Sequence, residues 1–195
     1  MIVKSFELEK IKIKTSFFLF YGENQGHKNE IIKNKFQIKY KESTYKYDEN
    51  EILINKETFF NNILSKSFFE NEKLIIINRV TDKILDIVEE LIEKKIEDLL
   101  VILNANILEK KSKIRSLFEK SREATCVAFY EDNSQTLSNI VNIFFRSIKI
   151  PISQQAINLI VQRARGDRLN LSNELEKIKS INKKMVKLVA KELVD

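Results

Sequence analysis

The stretch Phe17–Lys28, FFLFYGENQGHK, decides how the rest of the chain is read. An apolar run from Phe17 to Tyr21 stops at Gly22. After the polar Glu23-Asn24-Gln25-Gly26, Ile31, Ile32 and Phe36 recur at helical spacing. A buried strand, a tight glycine turn and a helix, in that order, open a phosphate-binding P-loop unit. A working cradle reads Gly, four residues, Gly, Lys, then Ser or Thr: backbone N–H groups hold phosphate oxygens and the hydroxyl holds magnesium. In the frame set by Gly22, His27 stands where the second glycine belongs, and Gly26 comes one position early. Lys28 is kept, but Asn29 replaces the hydroxyl. The stretch has the layout of a nucleotide loop without its full chemistry.

Working outward, Leu74-Ile75-Ile76-Ile77 and Leu99-Leu100-Val101-Ile102-Leu103 are continuous apolar runs, the pattern of strands covered on both faces. Cys126 to Tyr130 adds another strand, and Tyr45 to Ile54 alternates weakly, as an edge strand and a turn would. Helical spacing predicts a first helix over about 25–38 and a short one over 58–65. Thr81 opens a helix with Ile84, Ile87, Val88, Leu91 and Ile92 inward, and residues 110–122 form a charged helix with Ile114, Leu117 and Phe118 on one side. Residues 1–16 read as an extended lead-in. Strands alternating with helices imply crossover units and a parallel sheet. From about 134 the pattern is helical throughout. Ser153 caps a helix that Ile157, Leu159, Ile160 and Val161 pack and Gly166 ends. Asn170 or Ser172 opens the next, with Leu175 and Ile178 inward, and Lys183 or Lys184 begins a last one. The expected organisation is an α/β domain over 1–138 and a small all-helical domain over 139–195.

ATP hydrolysis on such a sheet needs a second, acidic site at the end of a buried strand, where Asp holds magnesium and Glu polarises water. Here the run Leu74 to Ile77 leads into Asn78-Arg79, which offers no carboxylate and sets a positive charge against a metal. With His27 and Asn29, three parts of the ATP machinery are missing. The lone His27 has no partner cysteine or serine motif. Glu89-Glu90 and Glu131-Asp132 read as solvated charges, and metal-ligand spacing is missing. The expectation is a chain that catalyses nothing alone and carries no cofactor or metal. Its Gly22–Lys28 loop is then a strand–helix turn, or retains a phosphate or sulfate at the helix N-terminus.

Charged residues make up 32% of the 195 and hydrophobic ones 43%, as in soluble globular proteins. No apolar run approaches the ~20 residues that span a bilayer, and the charged start MIVKSFELEKIKIK is unlike a secretory signal. The single Cys126 makes no internal disulfide, so a cytoplasmic setting is expected. The net charge of +6 is concentrated: residues 141–195 carry 11 basic and 5 acidic side chains. Such a segment is either a solvated Lys-rich surface or a contact for nucleic acid or an acidic partner.

Ser67-Phe68-Phe69-Glu70 stands out just before the Leu74 run. Adjacent aromatics lie about 100° apart on a helix or on opposite faces of a strand. Either at least one is exposed as an anchor for a partner's hydrophobic pocket, or both tuck under the sheet edge.

The order FFLFYGENQGHKNEII, SFFENEKLIIIN, LEKKSKIRSLFE with CVAFYEDN after it, and GDRLNLSNELEKI resembles the delta subunit of the bacterial DNA polymerase III clamp loader, over essentially the whole chain. The resemblance implies an AAA+-like fold: a P-loop parallel sheet with a degenerate nucleotide site, then a helical lid. It implies a DNA-replication protein that binds and opens the sliding clamp (the beta subunit), beside other clamp-loader subunits and with primed DNA, without its own ATP hydrolysis. In that family a hydrophobic pair just before the third strand inserts into a pocket on the clamp; the pair falls on Phe68 and Phe69, where Leu-Phe is the commoner form. Gly166-Asp167 and Glu174-Leu175-Glu176-Lys177-Ile178 match the lid, in structural roles. A full delta subunit continues into a helical collar through which the pentamer assembles, and this sequence stops where the lid should end. The resemblance therefore carries clamp binding further than pentamer assembly. Two readings stand against it: an active AAA+ ATPase with turnover sensitive to Lys28→Ala, and a DNA-binding module using the basic 141–195 segment.

Overall fold

A computed structural model describes residues 1–8, 15–64 and 72–192, with side chains through Ile181. Six strands form one sheet: β1 (Ile2–Lys4), β2 (Phe17–Tyr21), β3 (Thr44–Asp48), β4 (Lys73–Val80), β5 (Leu99–Ala105) and β6 (Ala124–Ala128). Their spatial order is β1-β6-β2-β5-β4-β3, and every pairing is parallel. Parallel neighbours cannot be joined by hairpins, so helices fill the connections. These are α1 (Ser5–Leu8), α2 (Gln25–Ile31), α3 (Glu49–Ile54) with α4 (Lys56–Leu64), α5 (Leu85–Glu93) and α6 (Lys113–Lys120).

Strand β2 lies inside the sheet, with Leu19 opposite Leu103 on one side and Cys126 on the other. Alternate residues of a strand face opposite ways, and here both sets are buried. Leu19, Ile75, Ile77, Val101 and Leu103 meet Phe59, Val88, Leu91, Ile114 and Phe118 on one face. Phe18, Phe20, Ile76, Ile102 and Val127 meet Ile31, Ile32 and Phe36 on the other, where Phe18, Phe20 and Phe36 pack edge-to-face at 5.2 to 6.0 Å. Two covered faces explain why these strands read as unbroken apolar runs.

Some expectations change in detail. Residues 1–8 are more than a lead-in: β1 adds a parallel edge strand to β6, and α1 buries Leu8. The stretch Tyr45 to Ile54 is strand only as far as Asp48. There the Glu51 carboxylate accepts the Asp48 N–H at 3.0 Å, the returning half of a capping box, and α3 begins. Helix α2 widens into a π-helical segment over Ile32–Gln37 that keeps Ile32 and Phe36 buried.

The chain divides into two compact units, Met1–Glu23 with Lys28–Tyr130, and Asn24–His27 with the residues from Glu131 onward. The second unit contains α7 (Ser134–Ser147), α8 (Gln154–Ala164) and α9 (Arg168–Glu192) around a core that includes Leu137, Val141, Ile157, Val161, Leu171 and Leu175. The boundary expected at 138 falls inside α7, which starts earlier because the Asn133 side chain caps it, accepting the Thr136 N–H at 2.8 Å. Ser153 caps α8 as expected, but Leu159 is exposed rather than inward. Asp167, not Asn170 or Ser172, caps α9 by accepting the Leu169 and Asn170 N–H groups. That helix runs on without a break at Lys183 or Lys184, since no Gly or Pro interrupts it. No helix among the described residues is long and apolar enough to cross a membrane.

Candidate functional site

Strands β2 and β5 are neighbours, yet the helices that follow them cover opposite faces. Ile31, Ile32 and Phe36, which follow β2, pack in one core; Ile114 and Phe118 of α6, which follows β5, pack in the other. Where successive helices leave to opposite faces, the carboxyl ends of the strands form the crevice in which open α/β sheets take ligands. Gly22, Lys28, Asn104 and Ala105 stand at this place.

Gly22 turns the chain at φ +120°, and its N–H donates to the Asn106 carbonyl at 3.0 Å. A Cβ here would lie 2.2 Å from the Phe129 carbonyl oxygen, so the close approach of β2 to the end of β6 requires glycine. Lys28 folds back under the turn and is fully buried. Its Nζ donates to the Gly22 carbonyl at 2.9 Å and to the Ala105 carbonyl at 2.6 Å. Burial pushes its pKa down to about 8. The lysine that a phosphate loop offers to its ligand is here bonded to the main chain, tying the end of β5 to the turn.

At the carboxyl end of β4, where an ATP site would carry its acidic pair, stand Asn78 and Arg79. Asn78 and Asn104 are register partners on β4 and β5, and Asn104 Nδ2 donates to Asn78 Oδ1 at 3.1 Å. Asn104 Oδ1 is buried with no hydrogen-bond partner among the described residues. Arg79 sits at an irregularity of β4, φ 57°, and its guanidinium bonds Asp48 of β3 at 2.5 Å. The positive charge expected to oppose a metal is therefore paired with a carboxylate of the edge strand. Among the described residues no group of three or more His, Cys, Asp or Glu side chains is placed to hold a metal ion.

In the second unit, Asn24–His27 belong to a separate polar cluster. Arg168 Nε and Nη2 each reach an Asp132 oxygen at 2.6 Å, a bidentate pair with both side chains more than nine-tenths buried. Asn24 donates to the same carboxylate at 2.8 Å, and its own carbonyl accepts the His27 N–H at 3.0 Å. Burial alone would raise the Asp132 pKa; the Arg168 and Asn24 hydrogen bonds outweigh it and hold the carboxyl below its ordinary value. His27 is pushed down to about 4, first by burial and then by the Arg168 charge, against the opposing pull of Asp132. It is neutral at pH 7. Gly26 is needed because a Cβ would meet the Leu169 nitrogen at 2.5 Å.

Of the residues singled out in the loop, Gly22 and Lys28 are brought together, Gly26 and His27 join the Asp132–Arg168 cluster, and Asn29 is exposed. Phe68 and Phe69 lie outside the described residues. Asn104 carries no motif of its own, though closing the apolar run of β5 marks a strand's carboxyl end. Asp132, expected as a solvated charge, is buried against a partner 36 residues away. No local pattern signals that pairing.

The α/β parallel sheet with a glycine–lysine loop after an inner strand, followed by a helical unit, is similar in fold to AAA+-type proteins. Among solved structures it is similar to a Bacillus subtilis DNA clamp loader delta protein, YqeN, with a TM-score of 0.56 and 15% identity, covering 90% of this chain and 56% of that one. It is also similar to Thermotoga maritima RuvB, a Holliday junction branch migration motor, with a TM-score of 0.54 and 11% identity, covering 84% and 54%. At these identities the likeness is one of fold, and the chain spans just over half the length of these structures. No family model matches the sequence, and no curated protein matches it.

Proposed function

We propose that this chain is a delta-type subunit of a replicative clamp loader, which binds the sliding clamp and favours its open form without hydrolysing ATP itself. The observation that carries the reading is the state of the loop: Lys28 is bonded to the Gly22 and Ala105 carbonyls, and Asn78, bonded by Asn104, stands with Arg79 in place of the acidic pair. This speaks against a nucleotide-driven motor. The fold likeness to a clamp loader delta protein and the order of the four sequence stretches support the particular assignment. Phe68 and Phe69, between α4 and β4, are the proposed anchor in the clamp pocket, with other loader subunits and primed DNA as further partners. Opening a ring requires tighter binding to the open than to the closed form, since a ligand shifts an equilibrium only by its differential affinity.

Calorimetry of this chain with the sliding clamp of its own organism tests the proposal, beside Phe68→Ala, Phe69→Ala. A buried aromatic anchor is worth roughly 2 kcal/mol or more, so the double variant should lose at least about 30-fold in affinity with unchanged circular dichroism. Absence of binding by the native chain sinks the proposal.

A further inference from the structure

Helices α5 and α6 border a groove of about 680 Å³ on the sheet unit. Leu85 and Leu117 line it; both are partly buried and pack on the core beneath. Lys110, Lys111, Lys113 and Lys120 also line it, all exposed, against the single carboxylate of Glu89. Lys111 is paired with Glu109 at 2.9 Å, while Lys110, Lys113 and Lys120 form no ion pair among the described residues. The start of α6 does not supply further attraction for an anion. Asp82 already accepts from the Ser112 hydroxyl and from the Lys113 and Ile114 N–H groups.

An apolar floor inside a mostly basic rim, four lysines against Glu89 with Asp82 beside Lys113, is the anatomy of a protein-docking surface, with a central contact that excludes water and a charged rim that steers and selects. From this charge complementarity we infer that the groove docks an acidic peptide segment carrying one or two apolar side chains. The apolar residue seats on Leu85 and Leu117, and carboxylates on either side meet the lysines. A groove of this volume is in the range that takes a few side chains. A nucleic acid backbone would use the lysines but gain nothing from the leucines. The inference is independent of the clamp reading and uses none of its residues.

The test is fluorescence anisotropy on the full chain with a labelled hexapeptide of four aspartates around Leu-Phe. Two comparison probes are the same peptide with Ser-Ser in the centre and a labelled oligo-dT of equal charge. The Leu-Phe peptide should bind tightest. Lys113→Glu, Lys120→Glu should weaken it by about tenfold or more, since each reversal removes one exposed attraction and adds a repulsion. A control variant, Lys177→Glu on α9, should leave binding unchanged. Equal binding of the Ser-Ser peptide would overturn the apolar seat. Tighter binding of oligo-dT would replace the acidic peptide by nucleic acid, and binding by none of the probes would reject the groove as a docking surface.

Discussion

Urea unfolding of the native chain and of Lys28→Met, followed from pH 7 to pH 10, tests what burial does to the loop lysine. In the unfolded chain the ammonium titrates near the ordinary 10.5; in the fold its pKa is about 8, because burial disfavours the charged form. Stability rises with pH wherever the unfolded state binds more protons than the folded one. Between about 8 and 10.5 the unfolded chain still holds a proton that the folded chain has released, so Lys28 adds stability as pH climbs through this window. Below it both states are charged and the fold bears the whole cost; above it both are neutral and the cost is gone. The gap from 10.5 to about 8, at 1.36 kcal/mol per unit, comes to about 3 kcal/mol. Roughly 2.5 kcal/mol of it falls between pH 7 and 10. Lys28→Met keeps the stem but has no proton to lose, so subtracting its pH profile removes the contribution of every other group. The variant also leaves the Gly22 and Ala105 carbonyls without their donor, an offset of about 1–3 kcal/mol that is independent of pH. With a urea m-value of about 2 kcal/mol/M, the native midpoint should gain roughly 1.2 M on the variant across the range. A difference that stays flat to within about 0.5 kcal/mol would refute the reasoning, because the ammonium would then be as well solvated folded as unfolded.

Two further outcomes are expected. Arg168→Ala strands the buried Asp132 carboxylate and should cost about 3–5 kcal/mol in thermal or urea unfolding, whereas Arg168→Met with Asp132→Leu should recover most of the loss; a cost below about 1 kcal/mol would mean that the pair is solvated. Gly22→Ala drives a Cβ to 2.2 Å from the Phe129 carbonyl oxygen at φ +120° and should cost about 3 kcal/mol or more. Gly166→Ala, at φ +77° with nothing within 4 Å of its Cβ, should cost only about 1–2 kcal/mol, and equal losses at the two glycines would refute the close-approach argument.

The sheet was legible because its strands are buried on both faces. FFLFY, LIII and LLVIL are long enough apolar runs to mark β2, β4 and β5, and helical spacing marked what lay between. Edges were harder. Strand β1 is three residues, too short to show a period, and is defined by its pairing with β6. Strand β3 has one neighbour and a mixed burial pattern, so its end at Asp48 was hidden until the returning Glu51 carboxylate revealed a helix start. In the loop, the departures at His27 and Asn29 were visible, and so was the amide at Asn78. What Lys28 does instead was not, because its acceptors are main-chain carbonyls that leave no mark in side-chain identity. Asp132 and Arg168 failed for a related reason: each is an ordinary surface residue type, and only the fold brings them together.

Lys28 also bears on what can drive the proposed action. An ammonium buried with two carbonyls still carries a cost of about 3 kcal/mol, so its hydrogen bonds offset only part of its desolvation. An anion entering the loop would add a charge partner but would have to displace bonds to the Gly22 and Ala105 carbonyls, each worth about 1.5–3 kcal/mol to a charged donor. Asn29 gives no hydroxyl and Asn78 no carboxylate to fix magnesium beside it. On the proposed reading a nucleotide cycle has little to act through here, and the difference in free energy between an open and a closed partner comes from elsewhere. On the proposed reading it comes from the contact itself. The Phe68–Phe69 segment would have to fit one form of the clamp better than the other, and by linkage the strain it holds open cannot exceed that difference in affinity.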